Sequence, residues 1–321
     1  MATEVMVEKW SGEVSVVSIG ATKAEGGTRS SVIKVGGQKA LPYLFEEGQL
    51  PYRPVIAYEV WDISPQDWPQ ELISAYGAVL KDPLAWAQEC VNKYKAELLC
   101  LRLQGAHPES GNKSPQQAAE FVSQLLKKVS VPLIITGCGD DAKDNAVLPA
   151  CCEAAKGERI LVGSAVQDNY KTLAAAALAD GHNIIAESPI DINIAKQLNI
   201  LISDMGLALE RIVINPTIGA LGYGLEYAYS IMERARLAAL AGDKTVASPF
   251  ICFVGQEAWR AKEAKTLAKE MPNWGPEKER GIAWEAITSS ALIQAGADIL
   301  VMRHPLAIEK VQKYIGQLME G

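Results

Sequence analysis

Val55-Ile-Ala-Tyr-Glu-Val-Trp-Asp62 is a β-branched and aromatic run that ends on a carboxylate. The same design recurs along the chain as Leu98-Leu-Cys-Leu-Arg-Leu103, Pro132-Leu-Ile-Ile-Thr-Gly137, Arg159-Ile-Leu-Val-Gly-Ser164 and Asn183-Ile-Ile-Ala-Glu-Ser188. Arg211-Ile-Val-Ile-Asn-Pro216, Pro249-Phe-Ile-Cys-Phe-Val254 and Asp298-Ile-Leu-Val-Met-Arg-His304 complete the series. Short, nearly uninterrupted apolar runs of this kind belong in a parallel sheet covered on both faces.

Helical segments fill the gaps. Asp82-Pro83 offers an N-cap followed by proline at the first helical position. Ser114-Pro-Gln-Gln117 is a capping-box pattern. Ser188-Pro-Ile-Asp191 opens a helix that runs to Met205 and stops at Gly206. Residues 226–240, 281–295 and 305–319 carry helical apolar spacing as well. Eight β/α units over about 250 residues define a (β/α)8 TIM barrel, an α/β fold. A doubly wound open sheet competes, but no strand–G-x-G-x-x-G–helix unit supports it.

Ahead of the repeat, Glu13-Val-Ser-Val-Val-Ser-Ile-Gly20 and Ser31-Val-Ile-Lys-Val-Gly-Gly37 alternate with period two around a polar loop. They read as a β-hairpin. Residues 1–50 are therefore expected to form an N-terminal β-hairpin extension closing the barrel bottom, and residues 51–321 the barrel, with no linker between them.

Composition narrows the function. The chain has 321 residues, a formal net charge of −7 and 49% apolar side chains, so a nucleic-acid surface is disfavoured and a large core is affordable. No apolar run reaches the roughly 20 residues of a membrane span, and Met1-Ala-Thr-Glu4 does not open a signal peptide. A cytoplasmic location is the expectation. The six cysteines form no C-x-x-C pair, and the three histidines have no ligand spacing, so neither a disulfide framework nor a metal site is expected.

Barrel chemistry gathers where strands end and their following loops begin. Those positions hold Trp61-Asp62, Gln104-Gly105, Gly137 to Asp141, Gly163-Ser164, Glu187-Ser188, Asn215-Pro216, Gly255-Gln-Glu257 and Arg303-His304. No nucleophile elbow, Ser–His–Asp set or His-carboxylate metal cluster is among them. Asp140-Asp141 reads either as a magnesium pair or as a helix-start charge pair. Arg303 either holds an anion or pairs with Glu187 or Glu257. Glu187 reads as a general acid or as the partner of such an arginine, and His107 and His182 read as solvated loop residues. In Asn215-Pro-Thr-Ile-Gly-Ala-Leu-Gly-Tyr-Gly-Leu-Glu-Tyr227, Gly219, Gly222 and Gly224 surround Tyr223. That loop either needs positive φ angles or lets a flat ligand press close to the backbone with Tyr223 stacking on it. It is not a Walker loop, because the terminal Lys-Ser/Thr is missing.

Gly20-Ala-Thr-Lys-Ala-Glu-Gly-Gly-Thr-Arg-Ser30, Ser188-Pro-Ile-Asp-Ile-Asn-Ile-Ala-Lys-Gln-Leu-Asn199, the 215–234 stretch, Ile251-Cys-Phe-Val-Gly-Gln-Glu-Ala-Trp-Arg-Ala-Lys-Glu263 and Ile299-Leu-Val-Met-Arg-His-Pro305 carry a resemblance over nearly the whole chain. The chain resembles the small subunit of the corrinoid iron–sulfur protein of reductive acetyl-CoA (Wood–Ljungdahl) synthesis. The resemblance implies a heterodimer with a large subunit that carries the iron–sulfur cluster and a corrinoid (cobalamin) domain. It implies that this barrel caps the cobalt cofactor during methyl transfer from methyltetrahydrofolate, through a methyltransferase, to acetyl-CoA synthase. Catalytic residues of its own are not implied. Cap contacts are expected from Asn215, Gly219, Gly222, Tyr223 and Gly224, with Gln104, Ser188 and Gln256, and with Arg303 as an anion holder. The competing reading is a pterin-dependent methyltransferase barrel, with Asp62, Gln104, Asp140 and Asn215 on the pterin.

Overall fold

The computed structural model describes residues 7–320, so Met1 to Glu4 lie outside the described residues. Among the described residues there are ten strands: β1 (Val17–Ile19), β2 (Ile33–Val35), β3 (Val55–Trp61), β4 (Leu98–Arg102), β5 (Leu133–Thr136), β6 (Leu161–Ala165), β7 (Asn183–Glu187), β8 (Ile212–Asn215), β9 (Ile251–Cys252) and β10 (Ile299–Met302). The last eight form one parallel sheet in the order β8-β7-β6-β5-β4-β3-β10-β9. A bridge between Ile214 and Phe250 joins the two ends and closes the barrel. The eight-unit reading is therefore the observed architecture.

Parity within the strands builds the core. Val55, Ala57, Leu98, Cys100, Ile134, Leu161, Ile185, Val213, Ile251, Ile299 and Val301 form one buried cluster, while their neighbours in sequence pack outward against the helices. Each such side chain contributes about 1.5–3 kcal/mol relative to exposure. β1 and β2 pair antiparallel, and Val17, Ile19 and Val35 complete the inner cluster from below. Arg29 fastens this hairpin. Its Nε meets Glu158 Oε2 at 2.8 Å, and its other nitrogens donate to the carbonyls of Leu126, Val129 and Val131.

Asp82 and Ser114 cap the helices Pro83–Asn92 and Pro115–Lys128 as expected. Two local readings need correction. The helix expected from Ser188 begins at Ile192, because the Asp191 side chain captures the amides of Asn193 and Ile194. The seventh barrel strand is cut to Ile251–Cys252, because the chain turns into the helix Val254–Arg260 at once.

Candidate functional site at the barrel mouth

The strand parity that fills the lower barrel with apolar side chains continues upward and turns polar. Two residues beyond Ala57, Cys100, Ile134, Ile185, Val213 and Val301 come Glu59, Arg102, Thr136, Glu187, Asn215 and Arg303. Glu59 is the centre of this layer. It is 1% exposed and takes Arg303 through two bonds, Nε to Oε2 at 2.8 Å and Nη2 to Oε1 at 2.9 Å. Trp61 Nε1 donates to Oε1 at 2.7 Å, and Arg102 Nε lies 3.2 Å from the same oxygen. Burial alone would raise the Glu59 carboxyl, but the two guanidinium groups outweigh it and hold it at about 2. The Arg303 guanidinium also stands over the rings of Trp68 and Trp61, at 4.9 and 5.6 Å.

Above this layer opens a cavity of about 230 Å³, lined by Arg102, Thr136, Asp141, Ser164, Glu187, Asn215, Thr217, Gln256 and Glu257 among others. Asn215 Nδ2 donates to Glu187 Oε2 at 2.8 Å, and Asn215 Oδ1 accepts the Thr217 amide at 3.1 Å. Arg102 donates to Gln256 Oε1, whose amide in turn donates to Glu257 at 3.1 Å. The lining is thus carboxylates and amides, with one arginine already bound to a carboxylate. Thr217 has φ +56° and Ile190, on the adjacent loop, has φ +41°. Both are β-branched residues in the left-handed region, a strain that is held in place here by Thr217 Oγ1 donating to the Ser188 carbonyl at 2.6 Å.

The expected site residues divide into three groups. Asn215 and Gln256 line the cavity. Gly219, Gly222, Tyr223 and Gly224 form a loop on its rim instead. Gly222 and Gly224 adopt φ +77° and +91°, as the positive-φ reading expects, whereas Gly219 is required by close approach, since a Cβ there would sit 2.1 Å from the Tyr223 carbonyl oxygen. Tyr223 is 50% exposed. Gln104, Ser188 and Arg303 are not in the cavity wall. Gln104 faces Ser110, 3.4 Å away, and Ser188 is fully buried behind the wall. Arg303 pairs with Glu59 rather than with Glu187 or Glu257, so its charge is already matched and it is no free anion holder.

Asp62 accepts the Gly105 amide and Lys113 Nζ, and Asp140 caps the helix Asp141–Ala154, which is the helix-start reading of that aspartate. Among the described residues no group of three or more His, Cys, Asp or Glu side chains could hold a metal ion. None of the imidazoles lines the cavity. His182, expected to be solvated, is fully buried on the Cys152 carbonyl, and burial lowers its pKa. The Cys138 thiol beside the cavity is pushed up to about 12 by burial, which leaves it a poor nucleophile.

Residues 17–313 match the family described as the CO dehydrogenase/acetyl-CoA synthase delta subunit. This chain belongs to that family. The acetyl-CoA decarbonylase/synthase complex subunit delta of Methanocaldococcus jannaschii is 37% identical over 314 residues, covering 98% of this chain and 76% of that protein. The Methanothermobacter thermautotrophicus subunit delta is 39% identical over 308 residues, 96% of this chain and 76% of that protein. Among solved structures, the dihydropteroate synthases of Stenotrophomonas maltophilia and Coxiella burnetii align at TM-scores of 0.53 and 0.55. They share 16% and 12% identity, and cover 85% and 88% of this chain and 95% and 100% of theirs. At that identity they establish the TIM barrel for this delta-family chain and nothing more. Glu59, Arg102, Thr136 and Thr217 are members of the mouth that strand-end reading passes over. The period-two pattern that places Ala57 and Cys100 inside also points to Glu59 and Arg102; nothing local marks Thr217.

Proposed function

We propose that this chain is the barrel subunit of an acetyl-CoA decarbonylase/synthase-type assembly and caps a corrinoid borne by a larger iron–sulfur partner. The observation that carries the reading is a rim above the mouth with exposed aromatic rings and open backbone, on a chain of the delta family. Leu221, Gly222, Leu225 and Tyr229, with Glu226, Ser230 and Glu233, line a shallow hollow of about 470 Å³. Beside it the Tyr223 and Tyr227 rings are 50% and 61% exposed, and a Cβ on Gly222 would meet nothing within 4 Å. A flat macrocycle fits such a rim. Gly219, Gly222, Tyr223 and Gly224 would contact it, with Asn215 and Gln256 beneath. The bound corrinoid supplies the cobalt that accepts and gives up the methyl group. The role of this chain's residues is to shape the dry face and exclude solvent and oxidant. The methyl group comes from methyltetrahydrofolate through a separate methyltransferase and goes to acetyl-CoA synthase, both docking transiently.

A second reading has one observation in its favour. Glu187 and Asn215 present an acceptor beside a donor within the cavity, which suits the edge of a reduced pterin. Against it, Asp62 and Asp140 are committed elsewhere and Gln104 is outside the wall. Anaerobic absorption spectroscopy separates the two. With cobalamin supplied, corrinoid bands are expected only in a complex that copurifies with the large subunit. Demethylation of methyltetrahydrofolate by the lone chain with free cob(I)alamin would instead establish the pterin reading.

A further inference from the structure

We propose that Tyr223 is a latch that holds the tip of the glycine-rich rim loop closed against the segment after β9. The Tyr223 hydroxyl donates to Glu263 Oε2 at 2.9 Å and accepts the Lys262 amide at 3.0 Å. Both contacts cross between two stretches that wall the same cavity. Thr217 and Ile218 enter it from the rim loop, and Gln256 and Glu257 from the helix that leads to Lys262.

The two sides are unequally anchored. Around Lys262, Arg280 donates to the carbonyls of Glu263, Thr266 and Gly275, so that side is a preformed unit. The rim loop is fixed at Leu221, whose amide reaches Thr288 Oγ1 at 3.2 Å and whose carbonyl accepts from Trp284 Nε1 at 3.1 Å. It is fixed again where the helix Leu225–Leu240 begins. Between these anchors the tip is Gly222, Tyr223 and Gly224, and both glycines hold positive φ with open space around Gly222. On the anchored side, the Tyr223 amide closes a turn onto the Ala220 carbonyl. Among the described residues, the tip's hydrogen bonds to the facing segment are those of the tyrosine hydroxyl. A tip with glycine pivots on both sides and a single side chain bonded across the gap is a hinged flap. The half-exposed tyrosine ring is explained as well, since a residue placed for packing alone would be buried.

The latch does not depend on the corrinoid reading, because it is tested on the free chain. Tyr223→Phe keeps the ring and the chymotrypsin site while removing the tether. Cleavage after residue 223 should accelerate about tenfold, as expected for losing a hydrogen bond to a carboxylate in a segment that opens locally. Glu263→Ala, which removes one of the two bonds, should fall between wild type and Tyr223→Phe. Hydrogen exchange at the Lys262 amide should rise with both, while the melting temperature stays near that of wild type. Cleavage of Tyr223→Phe at the wild-type rate would overturn the latch. So would acceleration at sites across the whole chain together with a lowered melting temperature, since that is general destabilisation.

Discussion

Glu59 shows how one side chain can organise a barrel mouth. Its carboxylate is fully inside the barrel and is shared by Arg303 and Arg102, so removing its charge strands the buried Arg303 and leaves the part-buried Arg102 without its carboxylate. We expect Glu59→Gln to lower stability by about 3–5 kcal/mol, read as a drop in the urea midpoint at unchanged m. The acid limb follows from the same pair. The folded carboxyl sits at about 2 against an ordinary 4.5. The unfolded chain therefore binds the extra proton, and stability is complete above pH 4.5 and lost as pH falls through that window. Glu59→Gln should flatten this limb. If the limb persists unchanged in the variant, other carboxylates govern acid unfolding.

Among the elements, the helix Glu277–Gln294 ties the end of β10 to the segment after β9. Its Glu285 accepts the amides of Arg303 and His304 and Trp259 Nε1, at 2.5, 3.1 and 2.8 Å. Burial pushes this carboxyl up to about 7 despite those donors. Here the sign reverses: the folded state holds the extra proton, so stability falls as pH rises from about 4.5 through 7. His304, held by burial near 4 against 6.5, works the other way and loses stability as pH falls through its own window. Above pH 6.5 the opposing contribution of the histidine fades while the glutamate still titrates. Unfolding free energy should therefore fall between pH 6.5 and 8 in the wild type, and Glu285→Gln should abolish that slope. A slope that survives the substitution would assign the titration to another group. This element was half legible. Helical spacing marks residues 281–295, but the helix starts at Glu277, and the buried role of Glu285 is invisible because its partners are two backbone amides after β10 and the indole of Trp259, all distant in sequence.

Across the whole molecule, what the sequence discloses is what repeats. The β/α alternation, the inward parity and the Asp82 and Ser114 caps are local patterns, and they lead to the barrel. Asn215 and Gln256 are legible as mouth residues because they end or follow strands. Arg303 ends a strand too, yet its partner Glu59 lies 244 residues away in the chain, a pairing that only barrel closure creates. The hairpin poses the same question at larger scale. Its strands announce themselves by period-two alternation, whereas the bond that seats it, Arg29 to Glu158, spans 129 residues. Arg29 is 3% exposed, so Arg29→Met leaves the Glu158 carboxylate buried without its cation, at a cost of about 3–5 kcal/mol. Val17, Ile19 and Val35 share one apolar cluster with the barrel interior, so hairpin and barrel should still unfold together. We expect one lowered thermal transition, with Arg29→Met/Glu158→Gln recovering part of the loss through a non-additive pair. Two resolved transitions in the single variant would instead show that the hairpin folds as a unit apart from the barrel.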